Sequence, residues 1–520
     1  MAPQVRSIVA GMLFAVACVS PADPVTYDFE VVTYSGARET GYFSYDDSEA
    51  AQGATFYSPA DFFSDFYFIW NGVEYDETSV KASLPSYNQD DSLARISFGT
   101  HCSTTGCSTN PYEPSWFAVW RADSSGSPNY FTGGSSISLT IRPRVPPPPT
   151  SLVLPDINSD GIAEIAVVRD YLARMEVRSG SNGALLTTIP FLDRSVVHVD
   201  AKLMPASYPY GYGPAMVAVL ARDKEFGSGK IEVRRVPGGE ALGNVEYRES
   251  FSGGGYKPIA FAVLPTSKMQ YGRAEFVVLS ARATDGAGLI EVDDMEYSGR
   301  PVQHPMSVGQ TPVDIDLVGD VEADGFPEVA VLAARNSDGR VSVRILEPET
   351  GTTKGVLWFM AGSTAIDLAV VGDSDGNGIQ EVAVLLRRST DGRLAVEIKN
   401  IQGATNTRTI WFAPGHTGIA VEPVGDPDGN TVLEVAVLSK RDSDGRVLVE
   451  VKNAVGATNP RSYWYPAGYA AHDLTVLPDV NGSGIYETGT LLVRTVDGRV
   501  MLRARDAAGT ASPRDYWFSP

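Results

Sequence analysis

The sequence is poor in positive charge, cysteine and histidine, and each shortage excludes a class of protein. Its 42 lysines and arginines stand against 63 aspartates and glutamates, which gives a formal net charge of −21. That balance excludes a general nucleic-acid binder, because neutralising phosphates requires a basic excess. Three cysteines and five histidines are too few for a disulfide-rich scaffold or a zinc module built from Cys and His.

Long apolar segments are also missing after the N-terminus, so the sequence predicts no membrane-spanning helix. Glycine and proline, in contrast, are abundant at 51 and 34 residues, which favours many turns and short strands. The 520 residues exceed an ordinary single domain, and a hydrophobic content of 43% can bury a core. We therefore expect two or more domains, or a repeat array.

Residues 1–22 have the features of a secretory signal peptide. Arg6 supplies a positive start, residues 7–19 form an apolar run too short to span a bilayer, and residues 20–22 are small or proline. A second interpretation is a bacterial lipobox at residues 15–18, with Cys18 as the lipidated residue. Either interpretation predicts an exported protein that is secreted, periplasmic or at the cell surface.

The two remaining cysteines, Cys102 and Cys107, lie close together in the sequence. A pair that closes a small loop in an exported chain predicts a disulfide. A metal site is the weaker interpretation, because no second Cys or His pair accompanies them.

A proline-rich segment at residues 143–150 predicts a semi-rigid linker. Before it, residues 23–142 contain six stretches in which apolar and polar residues alternate, as in strands with one buried face. These stretches are 27–34, 40–45, 66–70, 94–98, 116–120 and 137–141. Asn71-Gly72 adds a hairpin signal. We expect residues 23–142 to form a β-sandwich.

After the linker, a unit of 53 residues repeats four times in strict register. An aspartate, a glycine and a tryptophan recur at the same place in each unit. They are Asp320, Asp373, Asp426 and Asp479; Gly339, Gly392, Gly445 and Gly498; and Trp358, Trp411, Trp464 and Trp517. Each unit predicts four strands, with an Asp-Gly hairpin turn between the second and the third.

Three less regular copies precede these four. Segments 164–168, 216–220 and 275–279 match the second strand of a unit, and the distance from Asp156 to Asp320 is three units of about 55 residues. Residues 151–520 therefore hold seven four-stranded units, which predicts a seven-bladed β-propeller. The predicted fold class is all-β, an N-terminal β-sandwich followed by this propeller.

Five units carry an acidic loop with oxygen-bearing side chains at positions 1, 3, 5 and 9. The loops contain Asp156, Asn158, Asp160 and Glu164; Asp320, Glu322, Asp324 and Glu328; Asp373, Asp375, Asn377 and Glu381; Asp426, Asp428, Asn430 and Glu434; and Asp479, Asn481, Ser483 and Glu487. Calcium takes six to eight oxygen ligands, and alternate positions of a tight loop can converge on one point. The shortage of Cys and His argues against zinc. An EF-hand is excluded, because position 12 lies inside an apolar strand here.

The pattern Asp-x-Asn/Asp-x-Asp-Gly-x-x-Glu, followed by an Ile/Val-Ala-Val strand, resembles the FG-GAP/VCBS repeats of calcium-binding propellers such as those of integrin α-subunits. The resemblance covers residues 151–520 and implies calcium held at positions 1, 3, 5 and 9 and by the backbone carbonyl at position 7. Those carbonyls belong to Ile162, Phe326, Ile379, Val432 and Ile485. It implies about five calcium sites, which we expect to be structural.

The sequence departs from this pattern in five units. Glu322 is one methylene longer than aspartate, and Ser483 is an uncharged ligand. Thr431 replaces the turn glycine of the Asp426 loop. Units two and three have Pro205 and Pro265 where the first aspartate is expected, and we predict no metal there. An insert at residues 207–212 of unit two is rich in tyrosine and is a candidate partner site.

Two further sets of recurring residues allow more than one interpretation. Each repeated tryptophan can fill the space between outer strands or stack on a sugar, and filling is the commoner role. Asp314, Asp367 and Asp473 precede the loops by six residues, near the start of the innermost strand. They can line one mouth of the channel and bind a cation or ligand, or they can cap turns.

The sequence contains no catalytic motif, and we predict that the protein is not an enzyme. The expected function is an adhesion or interaction module that binds a glycan or an extracellular protein. The alternative is a polysaccharide-degrading enzyme, which rests on analogy with lyases built on calcium propellers.

Overall fold

The chain divides into two compact units, Met1–Val145 and Pro146–Pro520, with the boundary inside the proline-rich segment. In this computed structural model, the description covers the strands between residues 24 and 143, and residues 148–518 apart from short gaps. The gaps are 170–173, 192–195, 205–214, 224–228, 248–254, 266–274, 283, 295–300, 404–406, 456–459, 481–482, 496–497 and 510–511. The predicted signal peptide, Cys18, Pro205 and the tyrosine-rich insert lie outside the described residues.

The first unit contains a five-stranded and a four-stranded antiparallel sheet, with strand orders β11-β1-β2-β3-β4 and β10-β9-β6-β5. Its strands are β1 (Pro24–Thr33), β2 (Arg38–Asp46), β3 (Phe63–Trp70), β4 (Val73–Asp76), β5 (Lys81–Tyr87), β6 (Leu93–Gly99), β7 (Cys102–Ser103), β8 (Gly106–Cys107), β9 (Phe117–Arg121), β10 (Tyr130–Thr132) and β11 (Ser136–Pro143). Each of the six predicted stretches coincides with a strand over its described residues. The packing of the two sheets into a sandwich stays a prediction.

Two local predictions in this unit can be compared with the strand pairing. Strands β3 and β4 pair with Trp70 opposite Val73, and Asn71-Gly72 between them lies outside the described residues. Strands β7 and β8 pair Cys102 with Cys107. The disulfide between these cysteines stays a prediction.

The second unit is a seven-bladed β-propeller, as the repeat predicts. Each blade is an antiparallel sheet of four consecutive strands. Blades 1 to 3 comprise β12 (Thr150–Leu154), β13 (Glu164–Arg169), β14 (Arg174–Arg178) and β15 (Leu185–Pro190); β16 (Val196–Leu203), β17 (Ala215–Asp223), β18 (Gly229–Val236) and β19 (Ala241–Tyr247); and β20 (Tyr256–Leu264), β21 (Glu275–Arg282), β22 (Gly288–Asp294) and β23 (Val302–Pro305).

The four regular units form blades 4 to 7. They comprise β24 (Gln310–Gly319), β25 (Glu328–Arg335), β26 (Val341–Leu346) and β27 (Thr353–Trp358); β28 (Ser363–Gly372), β29 (Glu381–Arg388), β30 (Leu394–Asn400) and β31 (Arg408–Trp411); β32 (His416–Gly425), β33 (Glu434–Arg441), β34 (Val447–Asn453) and β35 (Arg461–Trp464); and β36 (Tyr469–Leu477), β37 (Glu487–Arg494), β38 (Val500–Asp506) and β39 (Arg514–Trp517).

The core lies between consecutive blades. The second strands are nearly continuous apolar runs, such as Val382–Leu386 in β29, and both of their faces are buried because a blade packs on each side. Each buried Val or Leu side chain contributes about 1.5–3 kcal/mol. A cluster of Ile165 and Val167 with Leu477 and Leu502 joins blade 1 to blade 7.

Backbone conformation follows the repeat in two places. The Asp-Gly turns have Gly339, Gly392, Gly445 and Gly498 at φ of 66°, 68°, 71° and 70°, the left-handed region in which glycine is not strained. The innermost strands of blades 2 to 7 each contain a β-bulge, for example between Ala365 and Asp367. A bulge turns the following side chain in a new direction.

The ring closes by contact between blades 7 and 1, and no strand is exchanged between blades. Asp473 accepts hydrogen bonds from the backbone N–H and the hydroxyl of Ser151, at 3.0 and 2.8 Å. On the outer side, the Tyr516 hydroxyl donates to the carbonyl of Gly180 at 2.6 Å.

Candidate functional site

The five acidic loops occupy equivalent places, between the innermost and the second strand of blades 1, 4, 5, 6 and 7. Each loop brings its own predicted side-chain ligands together, except for Asn481, which lies outside the described residues. The contacts within each loop decide whether it can hold a cation.

The first loop residue organises the turn through its own backbone. Asp373 accepts hydrogen bonds from the N–H groups of Asn377 and Gly378, at 2.9 and 2.7 Å. The hydrogen bond from Gly378 holds the pKa of Asp373 below its ordinary value. Equivalent pairs of hydrogen bonds reach Asp156, Asp320, Asp426 and Asp479.

The glutamate at position 9 is buried in every loop, with at most 1% of its surface exposed. In four loops its Oε2 accepts the N–H of position 2, as Glu164 does from Ile157 at 2.8 Å. The Oε1 atoms of Glu164 and Glu328 are buried and have no hydrogen-bond partner among the described residues. Burial raises the pKa of both glutamates. A proton, a water molecule or a cation can satisfy such an oxygen.

In blade 1 the unpartnered oxygen belongs to a compact cluster. Asp156, Asp160 and Glu164 each offer a carboxylate oxygen, and the three oxygens lie within 4.8 Å of one another. The hydroxyl of Ser181 donates to Asp160 at 2.7 Å and lowers its pKa, so this carboxylate is ionised. The donor set consists of oxygen atoms and fits a hard cation such as calcium.

In blade 4 a lysine lies at the acidic loop. The Lys354 ammonium is 2.7 Å from Glu322, 3.7 Å from Asp324 and 3.2 Å from Glu347. The hydrogen bond that Lys354 donates to Glu322 raises the pKa of Lys354, which keeps it charged. The positive charge that the loop attracts is thus supplied by the protein.

Blades 5 and 6 use an arginine in the same way. Arg408 lies 2.5 Å from Oε1 of Glu381 in blade 5. Arg461 lies 3.0 Å from Asp428 and 3.5 Å from Glu434 in blade 6. Burial and the neighbouring aspartates raise the pKa of Glu434 to about 7 in spite of this arginine.

In blade 7, Arg514 occupies the equivalent position on the outermost strand. It donates to the carbonyl of Val480 inside the loop at 2.9 Å, and to the carbonyls of Gly180 and Ser181 in blade 1 at 2.9 and 2.7 Å. Its guanidinium therefore joins the loop of blade 7 to the neighbouring blade.

Thr431 adopts the conformation of the glycine that it replaces. Its φ is 68°, and its N–H donates to Asp426 at 2.7 Å as the glycines of the other loops do. A β-branched residue in the left-handed region is strained by roughly 1–2 kcal/mol. The loop of blade 6 therefore keeps its shape at the expense of backbone strain.

A second group of carboxylates lines the central channel. These residues are Asp200, Asp314, Asp316, Asp367, Glu422 and Asp473, all on innermost strands. Asp367 accepts the N–H of Val421 at 2.8 Å, so its carboxylate bridges blades 5 and 6. Asp473 bridges blades 7 and 1 in the same way. The predicted aspartates thus connect neighbouring blades rather than cap turns.

Two of the channel carboxylates share a proton, and a lysine lies beside a third. Asp314 and Asp367 are hydrogen-bonded through their carboxyl groups, which requires one of them to be protonated. Burial raises the pKa of Asp367 to about 7 and that of Glu422 to about 8. Lys202 lies 3.6 Å from Asp200, and this carboxylate raises the pKa of the lysine.

The repeated tryptophans lie against pairs of arginines. Guanidinium carbons lie 4.3–5.3 Å from the ring centroids, with Arg335 and Arg340 at Trp358, Arg388 and Arg393 at Trp411, Arg441 and Arg446 at Trp464, and Arg494 and Arg499 at Trp517. Trp464 is 38% exposed. The next residue in each strand is the fully buried aromatic, so that residue fills the space between blades.

The sequence analysis did not identify the basic residues at the acidic loops. It also did not identify three of the six channel carboxylates, which are Asp200, Asp316 and Glu422. The signal for the first was present: Arg408, Arg461 and Arg514 recur at intervals of 53. For the channel, Asp316 and Glu422 lie two residues beyond the predicted aspartate positions. The alternation of side chains along a strand places residues two apart on one face.

No protein-family model matches the sequence, and no curated protein matches it. Solved structures with a similar fold include the Dos1 propeller, at 10% identity over 81% of this chain and 89% of that one, with a TM-score of 0.35. The BBS1N structure in complex with ARL6DN is 13% identical over 70% and 89%, with a TM-score of 0.39. A mutant of the Synechocystis apocarotenoid oxygenase is 12% identical over 68% and 85%, with a TM-score of 0.41.

No helix in the part of the chain that the structure describes is long and apolar enough to cross a bilayer. The class of protein that the fold defines is a seven-bladed β-propeller, an architecture that serves many unrelated functions.

Proposed function

We propose that the protein is an exported, calcium-supported β-propeller that acts as an adhesion or interaction module for a glycan or a protein outside the cell. The supporting observation is repetition. Blades 4 to 7 present the same tryptophan between the same two arginines, at the same place on the outermost strand. A catalytic centre is assembled once, whereas a repeated rigid surface suits recognition.

The chemistry of this repeated surface favours recognition. Tryptophan and arginine are the side chains that most often dominate binding at protein interfaces. Arg388 is fixed by Asp391 of the hairpin turn at 2.9 Å, so the surface is ordered before a partner arrives. Bound calcium has a structural role in this proposal, because it stabilises only the folded form. The resemblance to FG-GAP/VCBS repeats and the predicted signal peptide support export and calcium binding.

The experiment is a glycan-array screen of the full chain in calcium, repeated in EDTA and repeated with Trp464→Ala. We expect binding in calcium that falls at least tenfold in EDTA and in the variant. Circular dichroism of each sample separates lost binding from lost fold. A blank array with folded protein would eliminate the glycan form and leave a protein partner, which cross-linking to extracellular proteins then tests.

The alternative function is a polysaccharide-degrading enzyme, and the channel is the observation that favours it. Asp314 and Asp367 form a proton-sharing pair, and titratable groups with shifted pKa values concentrate at catalytic sites. The test is the release of new chain ends from anionic and neutral polysaccharides, with Asp367→Asn as the control. Release by the wild-type chain that the variant lacks would favour the enzyme over the binding module.

A further inference from the structure

One position on the outermost strand distinguishes blade 1 from the other blades with acidic loops. Strand pairing aligns Arg408, Arg461 and Arg514, which lie opposite Ile398, Val451 and Ala504. In blade 1 the corresponding pair is Val177 and Thr187. Lys354 of blade 4 lies at the bulge beside this position, where blade 1 has Leu186. Blade 1 thus has no basic residue at either place.

The basic side chains are held firmly at their loops. Lys354 is 16% exposed and contacts three carboxylates. In blade 5, Glu381 has no free oxygen, because Oε1 binds Arg408 and Oε2 accepts the N–H of Ser374 at 2.8 Å. A divalent ion in such a loop would lie beside a fixed positive charge and would compete for the same oxygens.

Blade 1 presents the opposite situation. Thr187 donates to the carbonyl of Pro237 at 3.4 Å and so is engaged away from the loop, while Leu186 packs against the core. Glu164 is 0% exposed, and its Oε1 has no hydrogen-bond partner among the described residues. This buried oxygen and the oxygens of Asp156 and Asp160 lie together in one small volume.

We propose that in blade 5 Arg408 takes the place of the calcium ion that the family resemblance implies, whereas the loop of blade 1, which has no basic residue beside it, keeps its carboxylate oxygens free for one. The inference rests on the proposed calcium binding and specifies where it occurs. It removes the loop of blade 5 from the five sites that the sequence predicts. The loops of blades 4 and 6 are not assigned, because Oε1 of Glu328 has no hydrogen-bond partner among the described residues, and carboxylate oxygens of Asp426, Asp428 and Glu434 lie within 4.8 Å of one another. The loop of blade 7 includes residues outside the description and is not assigned.

The experiment compares two matched variants of the full chain by calorimetric titration with calcium. Asp156→Asn and Asp373→Asn change the same loop position, and both carboxylates accept the same pair of loop N–H groups. We expect Asp156→Asn to weaken one calcium-binding step at least tenfold and Asp373→Asn to weaken none. Unfolding temperatures in calcium-free buffer show whether the two substitutions disturb the fold equally.

A third variant, Arg408→Gln, tests the role of the basic residue. We expect it to bind one more calcium ion per chain than the wild type. Equal weakening by Asp156→Asn and Asp373→Asn, or an unchanged count in Arg408→Gln, would overturn the inference while calcium binding itself survived. A wild-type chain that binds no calcium would overturn both the inference and the calcium part of the proposed function.

Discussion

Individual carboxyl groups in the central channel decide how the stability of this protein depends on pH. Burial raises the pKa of Glu422 to about 8, and the negative charges of Asp316 and Asp473 add to the effect. In the unfolded chain a glutamate titrates near 4.3. Between those values the folded state binds more protons than the unfolded state, so the free energy of unfolding decreases as pH rises.

The corresponding prediction concerns Glu422→Gln. We expect the unfolding temperature of the wild type to rise as the pH falls from 8 to 6, and the variant to show a shallower rise, because it lacks the titrating group. Thermal unfolding followed by circular dichroism at several pH values measures both slopes. Asp338→Asn is the control, since Arg335 holds the pKa of Asp338 at about 2, far below this range. Equal slopes in the wild type and Glu422→Gln would contradict the assignment.

At the scale of strands and turns, one glycine fixes how closely the acidic loop of blade 1 approaches the next turn. A Cβ atom on Gly180 would lie 2.0 Å from the carbonyl oxygen of Ala163, which belongs to that loop. Gly180 also accepts the hydrogen bonds from Arg514 and Tyr516 of blade 7. Neither backbone can move without disturbing the loop or the contact between blades 7 and 1.

Gly180→Ala is therefore expected to lower the free energy of unfolding by about 2 kcal/mol or more, as overpacking of a rigid backbone contact does. Urea unfolding measures the loss. Gly355→Ala is the matched control, because its Cβ would lie 3.5 Å from the nearest atom, the carbonyl oxygen of Ile401, which is ordinary contact. A loss in Gly180→Ala no larger than in Gly355→Ala would show that the backbone adjusts.

The elements also show which parts of the fold can be predicted from sequence. The strands follow from residue patterns between turn signals, and β2 and β11 agree with the predicted stretches 40–45 and 137–141 to within two residues at every end. The bulges could not be predicted, because the place of the extra residue depends on the pairing with the neighbouring strand. The contact of Arg408 with Glu381 depends on the register of strands β30 and β31, which the residue pattern does not specify.

At the scale of the whole molecule, the contact between blades 7 and 1 differs from the others, because no covalent connection spans it. Elsewhere the chain links one blade to the next, so two neighbouring blades stay close even when their side-chain contacts open. We therefore expect the bridge from Asp473 to Ser151 of blade 1 to contribute more to holding its two blades together than the bridge from Asp367 to Val421 between blades 5 and 6.

We expect Asp473→Ala to lower the free energy of unfolding by about 2 kcal/mol, a typical value for hydrogen bonds to a charged group. We further expect at least tenfold faster hydrogen exchange of the amides in β12 and β36, because the blades can separate locally there. Asp367→Ala removes the equivalent bridge and is the control. If both variants accelerated exchange equally at their own bridges, the closing contact would be no weaker than the rest.

The number of blades could be predicted because identical residues recur at a fixed interval, from Asp320 to Asp479. The acidic loops were predicted from the same repetition. The repetition did not reveal that the loops differ in the basic residue beside them. Asp156 and Asp373 begin loops with oxygen-bearing side chains at the same four positions, yet only the second has an arginine against its glutamate. Local sequence specifies the shape of a loop, while its net charge depends on a strand more than twenty residues away.

The uninterrupted order of four strands in every blade has a consequence for how such a chain can be rearranged. The innermost strands β36 and β12 contact each other across the closing contact as β28 and β32 do between blades 5 and 6, where residues 412–415 join β31 to β32. A circular permutant of the propeller, opened between two other blades and joined across the closing contact, would keep all seven sheets intact. An insertion or deletion in the gene would preserve the fold most readily when it adds or removes one complete repeat unit.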